Sequence, residues 1–391
     1  MKTVSSNTFG YLEIKIPIDQ EADNKLKGLV LSSLDHKYPL PLPEIVNKRI
    51  QEELDISTRF GYAPIYLAHR EIIQSAENCD FPFYLIGANG ASLIDYALGI
   101  TKINPLPLHY RCEKCKQVEF VSDEQYDTGV LLPDKFCREC GHKMLGDGEN
   151  LGVESFLGYH HDRCPSLALG VPSSCFEDAV TYMERTFRAK QKDIHKLDFP
   201  SEDGHLFIYI DIIPVDKLFV DKELFPFSKM DDPAVFEYLS KSESYECYLP
   251  YELDIPIVKE LLECIKINHY SDLFKICGLI HSRGWLSYIL PSVKNGSVNY
   301  RRVITTREDI YHYLLRHRIS PETAYKVMEM TRKGSAAKFF ENESVHQLLL
   351  ENGVTEEYII NLNNIKYVTT QAQSRELATV AYKNAWGHLY K

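Results

Sequence analysis

Apolar side chains recur at every fourth position after the proline-punctuated stretch PLPLPE, at Val46, Ile50 and Leu54. That spacing predicts a helix over residues 44–55 with one face turned to a core. The next apolar runs are short, and 63–67 and 83–86 read as buried strands flanking a polar helix over 69–76. A turn follows, Gly87-Ala-Asn-Gly-Ala-Ser92, and leads into a helix over 92–98. Residues 110–146 form a cysteine-bearing excursion, and FIYIDII over 207–213, β-branched and aromatic, is the strongest strand pattern in the chain. Beyond 232 the period becomes helical, over 233–241, 255–267, 306–317, 321–333, 344–352, 355–366 and 374–388. The pattern is an α+β first half followed by an all-helical second half, with no internal repeat.

Composition narrows the function classes. The chain has 391 residues, 44% hydrophobic and 25% charged, as expected of a globular protein of two or three subdomains. Its 44 Lys plus Arg against 55 Asp plus Glu leave a net charge of -11, which argues against a protein that coats nucleic acid non-specifically. A local basic face stays compatible with that balance. No apolar run is long enough to span a bilayer, and residues 1–10 lack the build of a signal peptide, so a cytoplasmic protein is expected.

Four of the ten cysteines form two CxxC pairs, Cys112/Cys115 and Cys137/Cys140, separated by 21 residues. Two such knuckles bring four thiolates into a tetrahedron around Zn²⁺, and a closed shell of that kind has a structural role. The excursion offers little apolar surface, so the metal is expected to act as its clip. His142 reads as exposed. The six scattered cysteines, Cys79, Cys164, Cys175, Cys247, Cys264 and Cys277, read as small buried hydrophobes of a reduced protein.

With these elements placed, a family resemblance emerges. The segments LPEIVNKRIQEEL, GYAPIYLAHREI, GANGAS, ITKINPLPLHYRCEKC, LLPDKFCRECG and ESFLGYHHDRCP resemble, in order and content, the palm of PolC-type bacterial DNA polymerase III alpha subunits. The later stretches DDPAVFEYLS, YSDLFKICGLIHS, TREDIYHYLLRHRISPETAYKVMEMTRKG and TEEYIINLNNIKY resemble that family's fingers. The resemblance implies a polymerase-beta-like nucleotidyltransferase palm with an inserted four-cysteine zinc knuckle, then an all-helical fingers domain. The implied division is 1–60 as extension and lead-in helix, 61–230 as palm with the knuckle at 109–146, and 231–391 as fingers. It also implies a chain that begins after the family's phosphoesterase-like domain and stops before its clamp- and duplex-binding modules.

The family's chemistry uses two Mg²⁺ ions held by three aspartates, two of them in a Pro-Asp-x-Asp strand. Here that strand matches Pro165-Ser166-Leu167-Ala168, so both aspartates are replaced, by Ser166 and Ala168, and the third is matched by Asp211. The family's nucleotide-gripping turn matches Gly87, Asn89, Gly90 and Ser92. Its phosphate-facing Ser and Arg are here Ala88 and Asn89, and a later Ser is Asp95, a carboxylate expected to repel a triphosphate. Gln371 and Gln373 stand for the family's Lys and His, and Ser374, Arg375 and Glu376 for an alanine run. Only a bridge over 174–205 joins the two aspartate strands, where the family carries a long segment.

The losses fall on residues that touch metal, phosphate and nucleotide, while zinc ligands, turn prolines and core positions match. This implies a chain kept for its shape or binding surface. Asp211 is a vestigial metal ligand or simply a strand residue, and His160, His161 and Asp162 are a rebuilt site or a polar loop. Arg332 and Lys333, beside Gly334, are DNA-binding candidates or a solvated helix end, and Arg301, Arg302 and Arg307 admit the same two readings. The leading expectation is an inactive homologue acting as a binding or regulatory module, either a replicase decoy or a binder of a replication-machinery protein, with DNA also a candidate partner and bound Mg²⁺ doubtful. The alternatives are a residual template-dependent polymerase using substitute ligands, and a truncated relic.

Overall fold

A computed structural model describes residues 10–17, 21–78, 83–122, 126, 128–161, 163–187, 190–192, 205–215, 230–248, 255–341 and 343–390. The chain divides into two compact units, Met1–Val220 and Asp221–Lys391.

In the first unit, strands β1 (Gly10–Pro17), β2 (Tyr84–Ile86), β6 (Leu167–Pro172), β7 (Lys190–Lys192) and β8 (His205–Val215) form one sheet in the order β2-β6-β8-β1-β7. Only the β6–β8 pair is parallel. A three-stranded sheet, β4-β3-β5, is built from β3 (His109–Arg111), β4 (Val118–Phe120) and β5 (Leu145–Asp147) and carries the cysteine knuckles. The helices are α1 (Ala22–Lys37), α2 (Glu44–Phe60), α3 (Ala63–Asn78), α4 (Leu93–Ala97), α5 (Glu154–Leu157) and α6 (Phe176–Phe187).

Two expectations fail here. Residues 63–67 are not a strand but the opening of α3, and the segment expected to be polar carries His69 fully buried within it. α3 is covered on more than one face, so its apolar residues run together and mimic a buried strand. The helix predicted over 44–55 is preceded by one that the period reading did not mark. The former extends to Phe60, and the latter, α1, is held by a stripe of Ala22, Leu26, Val30 and Leu34 at four-residue spacing, all buried. Burial of each Leu or Val in that stripe is worth about 1.5–3 kcal/mol.

Helices α3 and α6 cover the face of the large sheet that carries Leu169 and Val171, where Ala76, Ala179 and Met183 meet these two residues. On the other face of β6, Gly170 lies under the ring of Tyr84. A Cβ at 170 would fall 2.1 Å from Tyr84 Cε1, so a larger residue there has to displace the Tyr84 ring.

The second unit is helical: α7 (Pro233–Leu239), α8 (Ile255–Cys264), α9 (Tyr270–Ile280), α10 (Arg283–Lys294), α11 (Arg307–Arg316), α12 (Pro321–Arg332), α13 (Ala336–Phe340), α14 (Glu343–Glu351), α15 (Glu356–Asn364) and α16 (Gln371–Tyr390). α11 opens with a capping box between Thr306 and Asp309, and Ser320 caps α12 ahead of Pro321. α9 and α10 lie where the period predicted no helix, because their long apolar runs hide the repeat. α16 packs on α9 at Gly278, where a Cβ would fall 2.6 Å from the Thr305 carbonyl and 2.9 Å from Ser374 Oγ. Among the described residues no helix is long and apolar enough to cross a membrane.

Candidate functional site

Strand register places the expected catalytic positions on one row. Ala168 of β6 stands opposite Asp211 of its parallel neighbour β8 and opposite Ile86 of β2. Across β8 the row continues through Tyr11 of β1 to Lys192 of β7. Ile86, Ala168, Asp211, Tyr11 and Lys192 thus carry one carboxylate among them. Ser166 lies just before β6 and is exposed, while Ala168 is partly so. Register therefore sets Ala168 beside Asp211, with Ser166 two residues ahead of Ala168 in the chain. A two-cation centre needs acidic ligands on both strands, and here β6 supplies none.

The Gly87–Ser92 turn abuts this row. Asn89 is buried and its amide donates to the Ser166 carbonyl and to Asp95 Oδ2, each at 3.0 Å. Ser92 caps α4, accepting from the Asp95 amide at 3.1 Å. The first donors of α4 converge on Glu53 of α2: Ser92 Oγ at 3.1 Å, the Leu93 amide at 2.9 Å and the Ile94 amide at 3.0 Å. Arg49, one turn earlier, pairs with Glu53 at 2.6 Å and donates to the carbonyls of Leu151 and Ala91. The expectation that Asp95 presents a repelling charge is corrected. Asp95 is wholly buried, and burial drives its carboxyl well above the usual range, toward the neutral form, against the opposing hydrogen bond from Asn89. Glu53 and Arg49 escaped the sequence reading because a helical Arg/Glu pair at i,i+4 ordinarily marks a solvated face.

The four knuckle cysteines converge. Their sulfurs lie within 4.8 Å of one another, with Cys112 and Cys140 3.5 Å apart and Cys115 and Cys137 3.4 Å apart. Both knuckles make the same turn. The Lys116 amide returns to the Cys112 carbonyl at 2.8 Å and the Gly141 amide to the Cys137 carbonyl at 2.9 Å, with Lys116 and Gly141 both at positive φ, 64° and 68°. The Cys112 and Cys137 amides bond in turn to the carbonyls of Gln117 and His142, 2.8 and 2.7 Å. Burial opposes ionisation of Cys112, but amides of Cys115 and Lys114 outweigh it and bring its thiol down to about 7. Four convergent sulfurs suit a soft divalent ion in tetrahedral coordination. The module also has a small core of Leu108, Tyr110, Leu132 and Met144, so the expected lack of apolar surface is only partial. His142 is exposed, as expected.

Asp147 ties this module to α4 and, through Asn104, to Tyr38 just past the end of α1. Its carboxylate accepts from Asn104 at 2.9 Å and Tyr96 at 3.3 Å and lies 3.5 Å from Arg111. The Tyr38 hydroxyl, held by Asn104 at 2.8 Å, meets His109 at 3.1 Å. No spacing in the sequence signalled this network.

In the second unit, Arg332 forms a two-pronged bond to Glu329 at 2.8 and 2.9 Å, and Lys333 lies 3.6 Å from the same carboxylate. Arg307, buried, reaches Glu308 at 3.0 Å and Glu329 at 3.6 Å. Arg301 is paired with Asp272 at 2.6 Å, whereas Arg302 is exposed. Most of the basic residues singled out in the sequence are thus engaged by acids of their own unit, and Arg307 is corrected from a surface cation to a core one. Gln373 and Ser374 are buried, and the Arg375 guanidinium lies 3.3 Å over the Phe274 ring. Of the scattered cysteines only Cys247 and Cys277 are buried, Cys164 and Cys175 are partly so, and Cys264 is exposed. The expectation of buried hydrophobes is corrected for the last three, and Cys79 and Asp162 lie outside the described residues. His160 is exposed and His161 partly so.

Residues 24–194 match the model of the bacterial DNA polymerase III alpha NTPase domain. The PolC-type DNA polymerase III of Thermotoga maritima is 25% identical across 95% of this chain and 34% of its own length. That of Streptococcus thermophilus is 25% identical across 96% of this chain and 32% of its own, and that of Caldanaerobacter subterraneus 24% across 96% and 34%. The chain thus spans about a third of the length of the curated relatives it matches. The match to the Thermotoga protein runs over 470 residues, against 391 in the whole chain, so the relative carries additional residues within the matched stretch. From its collinear segments and these matches over 95% of its length, the chain is similar to PolC-type DNA polymerase III proteins, and its residues 24–194 are similar to the bacterial DNA polymerase III alpha NTPase domain.

Proposed function

We propose that this chain is a catalytically inactive PolC-like polymerase homologue that acts as a binding or regulatory module. In this reading the first unit is a polymerase-beta-like nucleotidyltransferase palm and the second a helical fingers domain. Zn²⁺ on Cys112, Cys115, Cys137 and Cys140 is structural, since a closed thiolate shell leaves no position for substrate. The observation that carries the proposal is the row Ile86, Ala168, Asp211, Tyr11 and Lys192, in which β6 brings no carboxylate to Asp211. A lone carboxylate does not hold two hydrated Mg²⁺ ions.

A second reading, a residual template-dependent polymerase, draws on one observation. Glu13 of β1 pairs with Tyr209, two residues from Asp211 along β8, and is a candidate for a substitute ligand. Primer extension with Mg²⁺ and with Mn²⁺, beside Asp211→Ala and Glu13→Ala, tests both. No incorporation is expected. Incorporation that either substitution abolishes would overturn the inactive reading.

A further inference from the structure

Two sulfur–sulfur contacts cross from the first knuckle to the second: Cys115 Sγ lies 3.4 Å from Cys137 Sγ, and Cys112 Sγ 3.5 Å from Cys140 Sγ. Each contact joins an accessible sulfur to a buried one. Cys115 is exposed and Cys140 half-buried, whereas Cys137 and Cys112 are 3% and 0% exposed. The backbone favours the same pairing. Within each knuckle the two cysteines sit on one closed turn, held by the amide-to-carbonyl bonds of Lys116 to Cys112 and of Gly141 to Cys137. A disulfide needs its sulfurs about 2.0 Å apart, so each cross pair must close by only about 1.4 Å. One loop shifting on the other achieves that without opening either turn.

From this arrangement, and resting on the four-sulfur metal centre of the reading above, we propose that the cluster is a thiol-oxidation site. A peroxide expels the ion and closes two cross-knuckle disulfides, Cys115–Cys137 first and Cys112–Cys140 second. The sulfur of Cys115, the most accessible of the four, attacks one peroxide oxygen. The O–O bond breaks, water leaves, and Cys115 becomes a sulfenic acid. Cys137 Sγ, 3.4 Å away, then displaces the sulfenic oxygen, which departs as a second water, and the S–S bond forms. Cys140 and Cys112 repeat the sequence with a second peroxide. Four thiols and two peroxides thus give two disulfides and four waters. With metal bound the sulfurs enter as thiolates, and four protons come from solvent with release of the ion. The first disulfide already removes two of the four ligands, and the remaining pair does not make a closed shell. The staples join the same two turns as the ion, beside the core of Leu108, Tyr110, Leu132 and Met144, so the module keeps its fold when it loses its metal.

The test treats the full-length, zinc-loaded chain with hydrogen peroxide. A chromogenic chelator reads released zinc. Unreduced peptide mapping by mass spectrometry, after free thiols are blocked with N-ethylmaleimide, reads the pairing. About one zinc per chain is expected to leave, with peptides linked 115–137 appearing before those linked 112–140. The 109–147 segment should resist limited proteolysis as well after oxidation as before it, and dithiothreitol with Zn²⁺ should restore the starting state. Links within the knuckles, 112–115 and 137–140, or sulfinic and sulfonic acids without disulfide, would overturn the proposal. So would a segment opened by oxidation, a 112–140 link that forms first, or a cluster left intact when Cys264, exposed in the other unit, is already oxidised. A purified chain without zinc defeats the metal-centre reading alone, because the metal-free thiols still decide the pairing by the same map.

Discussion

Replacing Glu53 by Gln preserves size and removes one charge from a buried side chain that accepts from four donors. Each carboxylate oxygen now serves two donors: Oε1 takes Arg49 Nε at 2.6 Å and the Leu93 amide at 2.9 Å, while Oε2 takes Ser92 Oγ at 3.1 Å and the Ile94 amide at 3.0 Å. A Gln amide has one oxygen, so one of these pairs must face an NH₂ group that cannot accept. Arg49 keeps the carbonyls of Leu151 and Ala91 but loses its counter-charge, with side-chain exposures of 14% for Arg49 and 1% for Glu53. Breaking one side of a buried pair costs about 3–5 kcal/mol, and the retained carbonyl contacts put the expectation near the lower end, about 3 kcal/mol. With an m-value of about 2 kcal/mol/M, that is a urea midpoint lower by about 1.5 M. Far-UV circular dichroism gives the transition. Trp285 and Trp386, the only tryptophans, both lie in the second unit and report on it separately. A cycle with Arg49→Met should show a coupling of about 2 kcal/mol. If Glu53→Gln costs less than about 1 kcal/mol, the view of Glu53 as the anchor of the Gly87–Ser92 turn is wrong.

His69 is fully buried with neither ring nitrogen hydrogen-bonded, and burial lowers its pKa to about 3. Its contribution to stability is complete above about pH 6.5 and fades as pH falls toward 3, on the order of 3 kcal/mol by pH 4. His69→Leu should flatten that acid limb in pH-dependent urea unfolding, and an unchanged limb would contradict the assignment. Cys137→Ser should release the metal, read as zinc per chain, and open residues 109–147 to limited proteolysis. A full zinc complement in that variant would count against the four-sulfur centre. Gly170→Ala should cost about 1–3 kcal/mol by displacing the Tyr84 ring, with partial recovery when Tyr84 is also shortened to Val. No recovery would place the strain elsewhere.

The sequence was most legible where a residue type can mean little else. Two CxxC pairs foretold the convergence of four sulfurs, and FIYIDII foretold the central strand. The capped helices after residue 305 agree with their predicted spans to within two or three residues, because Thr306, Ser320, Pro321 and Thr355 punctuate them. Helix α1 was missed although Leu26, Val30 and Leu34 carry its period, because no cap or proline marks its start as the prolines mark α2. α3, α9 and α10 were hidden by the opposite cause, since a helix covered on several sides loses its polar stripe. The site was half legible. Positions 166, 168 and 211 were found as a set by resemblance, whereas Asn89, Asp95 and Glu53 acquire their roles from residues tens of positions away. Such bonds leave no period, and the same holds for Glu329, which gathers Arg307, Arg332 and Lys333.

Lys116 holds the first knuckle in the left-handed turn that its counterpart assigns to a glycine. In that posture its ammonium reaches the Asp35 carbonyl at 2.5 Å, one of the last carbonyls of α1, which the helix itself leaves unbonded. A cation there also complements the helix dipole. The clasp on α1 therefore belongs to the turn beside the four sulfurs, where a bound ion would fix the backbone, and removing such an ion should fray the end of a helix that never touches it. Glycine at 116 would relax the turn and forfeit the clasp. The cysteine cluster is thus a fastener for the neighbouring helical layer as well as for its own loop.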